Sequence, residues 1–212
     1  MDNQIDPEKT VKEALKQAER LLAENKLLHS EIILKQLLKC EPKNCSALHL
    51  LSIVELNLAE NTNNVNKYVE AIEILNMAIQ IDPDRADNYN NLGLAYHYLR
   101  EYKKAQIYIE KAIEKDPNNF LFFNNLALQY RFLGDYDEAI KCLKKSIELK
   151  NLPNTWKNLG GIYGDLKDLT QSEACYKTAL EMAPNYAGAH VDLAFAYHLQ
   201  GKWEEGFREY EW

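Results

Sequence analysis

The chain is short of the residues that interrupt regular structure. Its 212 residues include only 8 glycines and 6 prolines. That argues against a turn-rich β architecture and for long helices. Positive charge is also in deficit, with 25 Lys and Arg against 32 Asp and Glu, so the basic footprint of a nucleic-acid binder is missing. Apolar runs such as Ile32–Leu34 are only a few residues long, far below the roughly 20 needed to cross a bilayer. The opening MDNQIDPEKT is polar and acidic and lacks the apolar centre of a secretion signal. Four cysteines, Cys40, Cys45, Cys142 and Cys175, make no disulfide framework for a chain of this length, and a reducing cytoplasm is the expected setting. No G-x-S-x-G, P-loop, H-E-x-x-H or dinucleotide fingerprint occurs, so neither catalysis nor a cofactor is expected.

What is present is repetition. Pro42, Pro83, Pro117, Pro153 and Pro184 punctuate the chain, and Pro83 to Pro117 is a step of 34 residues. On that frame the chain reads as one array, 1–212, of six units: 11–44, 45–85, 86–119, 120–152, 153–186 and a partial 187–212. In 86–119, Tyr89, Leu92, Gly93 and Tyr96 follow an i, i+3, i+4, i+7 spacing, which puts them within roughly 60° of one direction on a helix. Ala105, Ile109 and Ala112 form the stripe of a second helix. Small residues at Gly93 and Ala105 allow the two helices to approach closely. The pattern recurs as Phe123, Leu126, Ala127, Tyr130 with Ala139, Leu143, Ser146; as Trp156, Leu159, Gly160, Tyr163 with Ser172, Tyr176, Ala179; and as His190, Leu193, Ala194, Tyr197 with Gly206 and Tyr210. The first two units keep less of it. Unit 45–85 carries seven extra residues, placed within Ala59–Lys67 as a longer loop because that stretch is rich in Asn. A helix start is expected at Asp6-Pro7, with Asp6 as the cap.

These residues resemble the tetratricopeptide (TPR) family. The resemblance implies an all-α, right-handed solenoid of stacked antiparallel helix pairs. Its first helices would line an inner groove that binds other protein segments, with no nucleic acid and no membrane insertion.

Within such a groove the asparagines are the leading candidates. Asn91, Asn125 and Asn158 each precede the Leu-Gly or Leu-Ala pair of their unit, with Asn90 and Asn124 just before the first two. The position lies about 160–200° from the buried stripe. Amides that donate and accept together suit the backbone of an extended peptide. In this the chain looks like the TPR region of O-GlcNAc transferases; the alternative is that N-N-L-G is idle repeat vocabulary. The ladder is broken by Asp192, Leu50 and Lys16. His97, Arg131 and Lys157, with Tyr98, Phe132, Leu94, Leu128 and Phe195, complete a mixed groove, unless they contact a neighbouring repeat instead. No metal site is expected: His97 and His198 lie three repeats apart, and Cys40, Cys45 and His49 lack a fourth ligand.

The ending Gly201–Trp212, GKWEEGFREYEW, resembles that of bacterial TPR proteins that continue into a glycosyltransferase domain, and this implies a substrate-presenting module of a larger protein. Trp203, Gly206, Phe207 and Tyr210 are expected to pack inward, and Trp212 to lie outside among Glu205 and Arg208. Trp203, Phe207 and Trp212 then form an interface for a following segment or for self-association.

Overall fold

The computed structural model describes residues 7–212, with backbone alone at Pro7 and Lys9, so the cap expected at Asp6 lies outside the described residues. They form twelve helices and no strand, in two compact units divided between Asp116 and Pro117. The first unit holds α1 (Pro7–Ala23), α2 (Leu27–Cys40), α3 (Cys45–Thr62), α4 (Val65–Ile81), α5 (Ala86–Tyr98) and α6 (Tyr102–Lys115). The second holds α7 (Phe120–Leu133), α8 (Tyr136–Leu149), α9 (Pro153–Asp165), α10 (Leu169–Met182), α11 (Ala187–Leu199) and α12 (Trp203–Tyr210). Each odd-numbered helix pairs with the next to make a hairpin.

One backbone device closes all six hairpins. A residue in the left-handed region ends each first helix: Asn25, Asn63, Arg100, Gly134, Lys167 and Gly201. The following amide then reaches back five residues, as in Glu101 to Tyr96, Asp135 to Tyr130 and Asp168 to Tyr163, each at 2.9 Å. This satisfies carbonyls that a helix end leaves bare. At Arg100 and Lys167 the side chain makes that conformation costly, by an amount on the order of 1 kcal/mol.

Within a hairpin the helices meet at small residues. Gly93 has no room for a side chain, since an added Cβ would stand 2.5 Å from Ile109 Cγ1 and 3.0 Å from the Ala105 carbonyl. Gly160 likewise faces the Tyr176 ring. Where serine takes the facing position it also bonds across the hairpin: Ser30 Oγ donates to the Ala18 carbonyl and Ser172 Oγ to the Gly160 carbonyl, both at 2.9 Å.

The extra residues of 45–85 do not form a loop. They lengthen both helices, α3 to 18 residues and α4 to 17. Asn63 takes the left-handed turn and the Asn64 side chain caps α4 by accepting from the Asn66 amide at 3.1 Å. Ala59 and Tyr68, buried on either side, hold this tight turn in place.

The long α3 carries an anomaly. Glu55 stands where the equivalent helices have tyrosine, and it is fully buried. Lys35 from α2 and Lys67 from α4 reach it at 3.0 and 2.8 Å. Glu31 pairs with the same two amines at 2.5 and 2.9 Å, and Glu70 with Lys67 at 3.1 Å. Burial alone would raise the Glu31 pKa, but hydrogen bonds from Lys35 and Lys67 hold it at about 2. A carboxylate held below its unfolded value of 4.5 contributes stability above that pH and loses it as pH falls toward about 2. Melting temperature followed by circular dichroism should therefore fall more steeply between pH 4.5 and 2 in the wild type than in Glu31→Gln. Parallel profiles would show that this ion cluster does not link α2, α3 and α4 energetically.

Candidate functional site

Four of the five inter-repeat connections have four residues, as at Asp82–Arg85 and Ala183–Tyr186, but α8 reaches α9 through only Lys150–Leu152. Pro153 is the first residue of α9 rather than part of a turn. At this point the stacking differs too. In the first unit α1 touches α3 and α3 touches α5, and α9 touches α11 in the second, whereas α7 and α9 are joined by long side chains, Asn124 to Thr155 and Arg131 to Asp165.

The gap between them is a cavity of about 200 Å³. Its floor is apolar: Ala127 of α7, Leu143 of α8 and Ile162 of α9, all nearly inaccessible. Phe120, Leu121 and Leu128 add apolar wall from α7. The polar lining is Asn124, Asn125 and Arg131 on one side and Asn154, Thr155 and Asn158 on the other. Four of the sequence-predicted residues, Asn124, Asn125, Arg131 and Asn158, thus share one cavity.

Their roles differ. The Asn124 amide nitrogen lies 2.5 Å from Ser146 Oγ, 3.2 Å from Thr155 Oγ1 and 3.2 Å from the Phe120 carbonyl, so it ties α7 to α8 and α9. Arg131 is half-buried and clamps Asp165 at the end of α9 with two hydrogen bonds, 2.6 and 3.1 Å long. That bond raises the guanidinium pKa, and Gly161 leaves the room the side chain needs. Lys157 points its amine at Asp192, 3.3 Å away, the very residue that breaks the asparagine ladder. Asn125 and Asn158 are half-buried.

In the first unit Asn91 accepts a 3.4 Å hydrogen bond from Asn90, which is buried. His97 lies against the rings of Tyr98 and Tyr102. His49, a weak zinc candidate, instead bonds Asn88 at 2.8 Å in the interior.

The end of the chain departs from expectation. Gly206 is buried against His198, but Trp203, Phe207 and Tyr210 are about 60% exposed. The first two rest ring edges or faces on His198 while most of each ring meets solvent. They share the stripe on which Gly206 meets α11, but only Gly206 is covered. Trp212 does not sit among Glu205 and Arg208; it stacks parallel on the His190 ring, centroids 4.5 Å apart. His190 is itself fixed between Glu209 and the Pro184 carbonyl.

The carboxylates Glu31, Glu55 and Glu70, whose oxygens lie within 4.8 Å of one another, were not anticipated as a cluster. The readable signal was Glu55 itself, one acid inside the apolar run of α3. Lys35 and Lys67 occupy the space between them, so the group is an ion-pair network.

Family models described as tetratricopeptide repeat match residues 86–119, 153–186 and, for a third model, 108–141 and 175–207; one described as TPR repeat matches 65–99. Together they span 65–141 and 153–207, more than half of the chain. Among solved structures, the chain is similar to a thermophilic TPR protein of Thermus thermophilus, at 24% identity over 89% of this chain and 99% of that one, with a TM-score of 0.74. PilF of Pseudomonas aeruginosa is 16% identical over 95% and 89%, TM-score 0.77. MamA of Desulfovibrio magneticus is 16% identical over 83% and 96%, TM-score 0.69. At these identities the likeness establishes the fold. No curated protein matches the chain.

The separation of roles around the cavity is measurable. Asn124→Ala removes one partner each from the Ser146 and Thr155 hydroxyls and from the Phe120 carbonyl and should cost about 1–3 kcal/mol, whereas Asn125→Ala and Asn158→Ala, at half-buried positions, should cost less than about 1 kcal/mol. Urea unfolding followed by tryptophan fluorescence, with Trp156 on α9 as a reporter, distinguishes the two outcomes.

Proposed function

Because the chain belongs to the tetratricopeptide-repeat proteins, we propose that it is a protein-interaction scaffold that holds an extended peptide segment along the first helices of its repeats. Asn125 and Asn158 grip the peptide backbone in the second unit, and Asn91 does so in the first. The observation that carries this reading is the cavity that sets Asn125 on one wall and Asn158 on the other. The cations nearby favour a neutral backbone over an acidic tail as the thing read. Arg131 is bound to Asp165 and Lys157 to Asp192, so neither offers an unpaired charge. The resemblance of Gly201–Trp212 to proteins that continue into a glycosyltransferase supports a scaffold that presents substrates to such a domain.

Peptides selected from a displayed random library supply the test. Replacing Asn91, Asn125 and Asn158 together by Ala should weaken their binding at least roughly tenfold and leave helicity intact, because alanine favours the helix at each position. Equal binding by the triple variant would overturn the ladder.

A second reading rests on α12. Three aromatic rings about 60% exposed on one short helix form the kind of apolar patch that finds partners, and self-association through this end is the form it takes. Solution mass should then rise with concentration for the wild type and stay constant for Phe207→Glu. A wild type that stays monomeric at millimolar concentration rejects it.

A further inference from the structure

We propose that the cavity between α7 and α9 is an anchor pocket for a single uncharged aromatic side chain, of phenylalanine size, on the bound peptide; the proposal rests on the peptide-binding reading above. Size is the first argument. A dry cavity of about 150 Å³ accommodates a benzene ring, so about 200 Å³ takes that ring with its methylene. The second is the lining. Ala127, Leu143 and Ile162 form the floor, each at most 2% exposed, and an aromatic ring placed on it buries apolar surface against apolar surface while the polar groups stay on the walls.

Charge complementarity is the third argument. Among the described residues, Arg131 is the one charged group on the wall, and Asp165 already takes two of its hydrogen bonds. A charged side chain entering the pocket would lose its water and meet no free counter-charge. A neutral ring meets no such penalty.

The fourth is position. Asn125 and Asn158 lie on opposite walls of the cavity. An extended chain points successive side chains to opposite faces, so one residue can turn into the pocket while the main chain on either side meets the two amides. The next interval along this unit is packed differently. There α9 and α11 touch, and the Lys157–Asp192 pair bridges them. The peptide is therefore fixed in register by one anchor, while the amides bind without regard to sequence.

The test uses the full chain with selectively labelled Leu and Ile methyl groups and the small probes N-acetyl-phenylalaninamide and N-acetyl-alaninamide, followed by NMR. The phenylalanine probe should shift the Leu128, Leu143 and Ile162 methyls in a saturable way, at least roughly tenfold more tightly than the alanine probe, since the ring buries far more apolar surface than a methyl group. Leu128→Trp, which places an indole in the cavity, should abolish the effect. Methyls that stay still with the phenylalanine probe, or equal binding of both probes, would overturn the pocket. If Leu128→Trp fails to fold, the comparison of the two probes on the wild type decides alone. The two readings fail separately. Library peptides that need the asparagines but share no aromatic residue sink the anchor and keep the ladder. A bound phenylalanine probe with peptide affinity indifferent to the asparagines does the reverse.

Discussion

Close approach between the two helices of each hairpin is the contact on which the rest depends. It requires that both partners be small at the crossing, and Gly93 against Ala105 and Ile109 shows how little slack there is: a single methyl group would overlap Ile109. Overpacking of that kind costs about 1–3 kcal/mol because the helices must separate. With the crossing fixed, and each hairpin closed by a left-handed residue that recurs every 33 to 38 residues, the first helix has one face committed to its partner. Its flanks are committed next. Phe122, Gln129, Thr155 and Ile162 are buried beyond the hairpin stripe. What is left for function is a narrow strip, and on α7 and α9 that strip holds Asn125 and Asn158.

The same economy applies to charge. Most ionic groups within reach of the first helices are used inside the fold. Glu55 takes a tyrosine's place in α3 and is held by Lys35 and Lys67; Arg131 holds the end of α9 through Asp165. A buried carboxylate is costly unless it is fully paired, so these lysines are constrained by Glu55 and are not available to a ligand. Chemical reactivity is subdued as well: burial pushes the Cys175 thiol up to about 11 and the Tyr176 hydroxyl up to about 12. What the proposed groove then has to offer a ligand is shape and amide hydrogen bonding.

The stripes of the hairpins were legible in the sequence because a spacing of i, i+3, i+4, i+7 reports one face of one helix. Leu92, Gly93, Ala105, Ile109 and Ala112 are all buried. Burial against a neighbouring repeat was not legible, since a helix covered on two sides shows no single period, and polar residues such as Asn88 and Thr155 are buried there without an apolar signal. The Asn-rich stretch near Asn63 misled because the same residue types serve loops and tight caps alike. Spacing also placed Trp203, Gly206, Phe207 and Tyr210 on the stripe of α12 that meets α11 at Gly206, but carried no information on how far the three rings are covered. The asparagine positions were legible; that Asn124 is an internal tie and Asn125 lines the cavity beside it depends on Ser146 and Thr155, residues 22 and 31 positions away.

The cavity itself follows from a difference between repeats rather than from any one of them. The connection before α9 lacks one residue that the others have, and Pro153 starts the helix at once. A regular array would have closed this interval as it closed α9 against α11. An opening in an otherwise close-packed stack forfeits contacts on every wall. Its floor of Ala127, Leu143 and Ile162 is apolar, while its walls carry amide, hydroxyl and guanidinium groups. Under the proposed reading a ligand recovers that loss by supplying the missing surface, in the least regular interval of the second unit.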